Sequence, residues 1–181
     1  AIVGVDVSSL HPPQALKKPK VGYIRMTSAE GIASLKPDLV IAESTLGPAT
    51  VIEQLKSAGI RLELVNTPKT IDGVFARVTQ IGEILNQKQA AETLNGKIKE
   101  NIAQAKALQT QTVKPRILFV FVHGGTSINV AGKQTAAHVM IEGAGGLNAV
   151  TDYEGYKPIT AEALLAAKPD IILATTRSLK A

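Results

Sequence analysis

Residues 28–44 read SAEGIASLKPDLVIAES, and residues 160–176 read TAEALLAAKPDIILATT. The two segments align without a gap at a separation of 132 residues, and most non-identical positions exchange one small or apolar residue for another. Each copy predicts a short helix, a Lys-Pro-Asp turn and a buried strand. Two unrelated αβ units would share that order, but the common turn and helix-start glutamate favour an internal duplication. The identical pairs are Ala29/Ala161, Glu30/Glu162, Lys36/Lys168, Pro37/Pro169, Asp38/Asp170 and Ala42/Ala174.

Further strands and helices are predicted around the two copies. An amphipathic helix, ATVIEQLKSAG, is predicted to end at Gly59, and another helix is predicted near Thr135 to Glu142. The alternation of strands and helices predicts parallel sheets with right-handed crossovers. The predicted strands are the β-branched and aliphatic runs IVGVD (2–6), DLVIAES (38–44), RLELV (61–65), RILFVFV (116–122) and DIILATT (170–176).

Between the two copies lies a long helical zone. Apolar residues recur at steps of three and four over residues 71–85 and again over 91–108, which predicts about 40 helical residues with a bend near Asn86. A helix of that length exceeds what one small lobe covers, so we expect a strut between lobes. The predicted fold is α/β, with two Rossmann-like lobes of parallel sheet joined by a long α-helix.

The predicted organisation has three parts. Residues 1–69 form an N-terminal α/β lobe, residues 70–112 a helical linker with the long backbone helix, and residues 113–181 a C-terminal α/β lobe. The second lobe shows two strands where the first shows three, so we expect it to be partial. We therefore expect a fragment that lacks C-terminal sequence and a strand before Ala1.

Composition excludes several functional classes. The chain has 20 Lys and Arg against 15 Asp and Glu, for a net charge of +5, and only 3% aromatic residues. The densest basic stretch (Lys17, Lys18, Lys20) lacks interleaved aromatic residues, which argues against nucleic-acid binding. No apolar run approaches a membrane span, and no leader segment is recognisable. Zero cysteines exclude disulfides, thiolate metal sites and cysteine catalysis.

Catalytic motifs are weak in this sequence. There is no G-x-S-x-G elbow and no P-loop, and GAGG (143–146) follows a predicted helix rather than a strand, unlike a dinucleotide fingerprint. No two histidines stand at metal-ligand spacing. A metal-dependent α/β hydrolase that uses His123 and Asp6 stays open as an alternative of another class.

Residues 20–31, KVGYIRMTSAEG, place a rare tyrosine and a cation in a loop before a helix. Tyr23 and Arg25 follow the first predicted strand, and His123 follows RILFVFV, so all three lie at carboxyl ends of strands, where α/β proteins bind ligands. A phenol in water has a pKa of about 10, and a ferric ion favours its phenolate. Phenolate is a hard donor for Fe(III), and an arginine pairs with carboxylates through two hydrogen bonds.

The duplicated glutamates also have a structural interpretation. Thr27 and Glu30 fit a capping box at a helix start. Ile159 stands where the second copy would need Thr27, so the same box is not expected at Glu162. Both carboxylates nevertheless fall at helix starts, where they complement the helix dipole.

Four segments together resemble the periplasmic haem-binding proteins of bacterial haem ABC importers. These are VGYIRMTSAEGIASLKPDLVIAE (21–43), VAGKQTAA (130–137), GAGGLNAV (143–150) and GYKPITAEALLAAKPDIILATT (155–176). Such proteins belong to a class with two lobes linked by a long helix that also binds siderophores and vitamin B12. The resemblance implies a periplasmic protein that performs no chemistry on haem, its transported ligand. It leaves a ferric-siderophore or cobalamin binder as the nearest alternative.

The resemblance also implies residue roles. Tyr23 is the expected axial ligand of the haem iron, and Arg25 the expected partner of a haem carboxylate. His123 is a candidate second iron ligand, and Lys157, which aligns with Arg25 in the repeat, is a further haem contact. Glu30 and Glu162 are the expected docking residues for the ABC transporter permease. A TonB-dependent outer-membrane haem receptor system is a further candidate partner, upstream of the binding protein.

Overall fold

A computed structural model describes residues 2–66, 68–109, 113–122 and 128–175. His123 lies outside the described residues. The chain divides into two compact units: Ala1–Thr67 with Gln80–Lys88, and Pro68–Thr79 with Gln89–Ala181. Both units mix helices with sheet, and each sheet contains parallel pairs, so the α/β class predicted from the sequence is confirmed.

The first unit is built on two parallel strands. Strands β1 (Leu39–Glu43) and β2 (Arg61–Val65) pair in register, and both coincide with predicted strands. Helix α1 (Ala29–Ala33) precedes β1, and helix α2 (Ala49–Ser57) connects the two strands. The connection is the strand–helix–strand crossover expected of a parallel pair. A short 3-10 helix (Pro13–Lys17) lies earlier in the chain.

The core of this unit consists of aliphatic side chains from both helices and the loop after β1. These side chains bury at least 93% of their surface, and Val40, Ala42 and Leu62 of the strands pack against them. The buried set is Ile32, Leu46, Val51 and Leu55. The core fixes α1 and the loop before it, where the predicted ligand residues lie.

The predicted strand IVGVD is wrong. Ile2 and Val3 are 61% and 46% exposed, and only Val5 forms an isolated parallel bridge, to Lys20. The Val5 N–H donates to the Pro19 carbonyl and the Val21 N–H donates to the Val5 carbonyl, each at 3.0 Å. A β-branched run favours a strand only where a partner pairs along its length, and here the pairing covers too few residues.

The helical zone forms two helices rather than one. Helix α3 (Ile71–Ile84) and helix α4 (Lys88–Ala107) are separated at Asn86, where φ is +55°. The bend predicted near Asn86 is thereby confirmed, and it is a complete break because left-handed backbone cannot continue a right-handed helix. Asparagine is among the few non-glycine residues that adopt this conformation readily.

The second unit carries a mixed sheet. Strand β3 (Arg116–Val122) pairs in parallel with β5 (Leu147–Asn148) and with β7 (Ile171–Ala174). The parallel pairing of β3 and β7 was predicted from the sequence. Strands β4 (Ile128–Ala131) and β6 (Tyr156–Pro158) add antiparallel pairs that the sequence did not indicate. Helices α5 (Ala136–Gly143) and α6 (Ala161–Ala167) precede β5 and β7, and the core lies among Leu118, Val130, Ala149 and Val150.

The repeat is reproduced in three dimensions. Ser28 caps α1 by accepting the Gly31 N–H at 2.9 Å, and Thr160 caps α6 by accepting the Ala163 N–H at 3.2 Å. The predicted capping box at Thr27 is therefore wrong by one residue. The second copy keeps its cap, because Thr160 is the equivalent of Ser28.

Candidate ligand-binding site

The loop that carries Tyr23 and Arg25 is anchored to the core of the first unit. Val21 and Ile24 pack against that core, and the buried Thr27 donates its hydroxyl to the Tyr23 carbonyl at 2.8 Å. The Met26 N–H donates to the same carbonyl at 2.7 Å, which closes a β-turn from Tyr23 to Met26. Backbone and core contacts thus hold the turn independently of the tyrosine ring.

Gly22 allows the turn to form. Its φ is +98°, and a Cβ at this position would lie 3.3 Å from the Met26 carbonyl oxygen. An L side chain there would be strained by its backbone and crowded by the turn, so glycine is the residue that fits before Tyr23.

The turn presents three chemically different side chains to solvent. Tyr23 is 47% exposed and Met26 81% exposed, Arg25 is exposed, and Ile24 between them points into the core. Arg25 has no ion pair with any described carboxylate. A phenol oxygen, a guanidinium and an apolar side chain within four residues can offer a metal ligand, an anion contact and a hydrophobic surface together.

The two glutamates of the repeat occupy equivalent places. Glu30 and Glu162 are each the second residue of a short helix, and both are exposed. A hydrogen bond from its own backbone N–H, assisted by the Thr160 hydroxyl, lowers the pKa of the Glu162 carboxyl. That carboxyl is therefore charged over the whole neutral range.

Lys157 lies on β6 in the second unit. Its Nζ is 4.8 Å from the centroid of the Tyr153 ring, a cation–π contact. Burial, with a smaller contribution from the Asp152 charge, raises the pKa of the Tyr153 phenol, so the ring beneath the lysine stays neutral. Next to it, the half-exposed Tyr156 packs edge-on against Phe121, with ring centroids 4.9 Å apart. Neither the Lys157–Tyr153 contact nor the Tyr156–Phe121 contact was predicted from the sequence, although Tyr153 and Lys157 are only four residues apart.

A buried asparagine organises the region around β5. The Asn148 amide donates to the Ala131 carbonyl at 2.9 Å and accepts the Val150 N–H at 3.3 Å, which fixes its orientation. Its Nδ2 therefore donates to His138 Nδ1 at 3.3 Å, and the His138 Nε2 proton points toward Glu142 Oε2 at 3.6 Å. This network holds α5 and β5 to β4 and gives His138 a structural role.

Asp6 and His123 were the residues of the hydrolase alternative. Partial burial tends to raise the pKa of the Asp6 carboxyl, but hydrogen bonds from Ser8 and Ser9 outweigh burial and lower it. Among the described residues, no three histidine, cysteine, aspartate or glutamate side chains converge as a metal-ion site. His123 lies outside the described residues, so its role as an iron ligand remains a prediction.

The second unit also contains an open cavity of about 340 Å³. None of the predicted ligand residues lines it, and its walls combine apolar, polar and oppositely charged groups. Its lining consists of Thr70, Ile71, Lys106, Gln109, Val139, Glu142 and Gly143. We regard the Tyr23 turn as the better candidate because it combines an exposed oxygen donor with a cation that has no ion pair among the described residues.

Comparison with known proteins decides the family. Residues 1–181 match the family model described as periplasmic binding protein. The chain belongs to the periplasmic binding protein family. The role of this family is binding and transport. In the described part of the chain, no helix combines the length and apolar character that crossing a membrane requires.

Within this family, the chain is similar to solved structures of haem-binding proteins. The periplasmic heme-binding protein BhuT in complex with two hemes has a TM-score of 0.92 and 38% sequence identity to this chain. The match covers 99% of this chain and 69% of the BhuT chain. The apo form of the periplasmic heme-binding protein RhuT from Roseiflexus sp. RS-1 has a TM-score of 0.92 and 36% identity, with 98% and 69% covered. The resemblance to periplasmic haem-binding proteins is thereby confirmed.

Curated relatives have other descriptions. An uncharacterized ABC transporter substrate-binding lipoprotein of Bacillus subtilis is 33% identical over 178 residues, which is 96% of this chain and 56% of that protein. A cobalamin-binding protein of Halobacterium salinarum is 30% identical over 180 residues, 96% of this chain and 47% of that protein. The chain thus spans about half the length of these relatives.

Proposed function

We propose that this periplasmic binding protein captures haem in the periplasm and delivers it to the permease of an ABC importer. The observation that carries the proposal is the exposed Tyr23 on a turn that the core and two hydrogen bonds hold in place. The identity of 38% and 36% to two haem-binding proteins supports the same ligand.

Each residue of the proposed site has a definite role. The Tyr23 oxygen, as phenolate, is the axial ligand of Fe(III), and Arg25 forms a charge-assisted contact with a haem propionate. His123 is the second iron ligand, and Lys157 is a further carboxylate contact. Glu30 and Glu162 bind arginines of the permease. The protein breaks no covalent bond of haem, and a TonB-dependent outer-membrane receptor system supplies the haem.

A cobalamin or ferric-siderophore binder is the second candidate. The 30% identity to a cobalamin-binding protein favours it, since that similarity extends over 96% of this chain. The two ligands make different demands on the protein. A metal already saturated by its chelator needs no protein donor, whereas ferric haem offers free axial positions for a phenolate.

Equilibrium titration of the chain with haemin and with cyanocobalamin separates these candidates. We expect haemin to bind with a Kd of micromolar order or tighter, about 8 kcal/mol of binding free energy. Cyanocobalamin in excess should leave the haemin complex unchanged. Tight binding of cyanocobalamin with weak, non-saturating haemin binding would establish the second candidate instead.

A further inference from the structure

The two copies of the repeat share an unusual backbone position. Lys36 has a φ of +47° and Lys168 a φ of +42°, so both lysines adopt the left-handed conformation. Both are exposed, and each lies beyond the C-terminal end of the short helix whose second residue is the glutamate described above. Lys168 directly follows α6, and Lys36 lies three residues past Ala33, the last residue of α1. The equivalence extends to the following Pro37 and Pro169.

Lysine is an unfavourable choice for this conformation. A side chain with a Cβ clashes there with its own backbone, and a residue before proline favours extended backbone in addition. Better-suited residues take this conformation after α2, α3 and α5: Gly59 has a φ of +72°, Asn86 a φ of +55° and Gly145 a φ of +88°. The lysine side chain is therefore kept at a cost that glycine would avoid.

No contact within the described chain explains either side chain. The ion pairs among the described residues join Arg61 to Glu63 and His138 to Glu142, and neither Lys36 nor Lys168 takes part in one. Lys20 provides a contrast, because its Nζ donates to the Ser9 and Ala15 carbonyls. Strained backbone positions cluster at functional sites, and an exposed charged side chain at such a position is available to a partner.

We propose that Lys36 and Lys168 bind acidic side chains of the permease, as the second contact of each docking surface. This inference rests on the proposed docking role of Glu30 and Glu162. Each surface then carries a carboxylate at the second position of a short helix and a cation six residues further along the chain, in both copies. A face with both charges fixes the orientation of its partner, which a single charge does not.

The test is a Lys36→Gly/Lys168→Gly double variant. Glycine adopts the left-handed conformation without the steric cost of a Cβ, so the melting temperature of the variant should stay close to that of the original chain. The one opposing effect is small, because glycine loses more backbone entropy on folding. We expect its affinity for the haem importer, reconstituted in lipid nanodiscs, to fall by about fivefold or more, with slower association and a flatter salt dependence.

Two further variants separate charge from backbone. Lys36→Asn/Lys168→Asn tolerates the same backbone without a charge and should bind as weakly as the glycine variant, whereas Lys36→Arg/Lys168→Arg should retain affinity. Haemin binding should be the same in all of them. If the glycine and asparagine variants bind the importer normally while Glu30→Ala/Glu162→Ala does not, the lysine inference is wrong and glutamate docking stands. Normal binding by the glutamate variant as well would overturn both.

Discussion

Replacing Tyr23 with alanine is expected to weaken haemin binding by about 100-fold or more, because it removes the proposed axial oxygen donor of the iron. Loss of a group that only orients a metal ligand typically costs 10- to 100-fold in affinity, so loss of the ligand itself should reach at least the upper end of that range. The measurement is a haemin titration that follows the Soret band.

The structure makes this substitution a clean test. The two hydrogen bonds that hold the turn end on the Tyr23 carbonyl, from Met26 N–H and the Thr27 hydroxyl, and alanine keeps that carbonyl. The fold of the loop is therefore expected to persist. Tyr23→Phe is the matched control, since it retains the ring and removes only the oxygen. Wild-type affinity in the phenylalanine variant would exclude the phenolate as the iron ligand.

The second large effect concerns delivery. Glu30→Ala/Glu162→Ala is expected to abolish haem uptake through the importer while leaving haemin affinity unchanged. Both carboxylates are exposed, and Ser28 and Thr160 cap the two helices in the variant as well. Removal of the two carboxylates should therefore cost little stability. Removal of two charged anchors weakens an interface most when each faces a cation on the partner. Uptake into vesicles that contain the reconstituted importer provides the measurement.

A matched control uses two other exposed carboxylates. Glu92 and Glu100 lie on α4 and are exposed, so Glu92→Ala/Glu100→Ala makes the same change in net charge at sites outside the repeat. This variant should support normal uptake. Uptake that persists in Glu30→Ala/Glu162→Ala would contradict the docking role and leave the two glutamates only a structural role at the start of their helices.

Much of the fold could be predicted because the signals were local. Strands β1, β2, β3 and β7 coincide with apolar runs of the sequence, and the repeat indicated the helix–turn–strand order of each copy. The burial predicted for the second copy was wrong, since Ile171, Ile172 and Leu173 of β7 are exposed. The strand predicted at residues 2–6 was wrong because pairing, rather than composition, decides whether a β-branched run becomes a strand. The antiparallel strands β4 and β6 have only four and three residues, too few for a periodic pattern.

The candidate site was only partly visible in the sequence. The rarity of aromatic residues pointed to Tyr23, and the repeat pointed to Glu30 and Glu162. The bond from the Thr27 hydroxyl to the Tyr23 carbonyl could not be predicted, because a threonine before a helix is most simply read as its cap. The contact of Lys157 with Tyr153 likewise depends on how β6 pairs with β4.

The central claim is that the Tyr23 phenolate binds ferric haem. The most direct test is the resonance Raman spectrum of the ferric haem complex, excited in the tyrosinate-to-iron charge-transfer band. We expect phenolate ring modes enhanced by that band in the original chain and their complete loss in Tyr23→Phe. A spectrum without phenolate modes, or one that is identical in the original chain and in Tyr23→Phe, would contradict the claim.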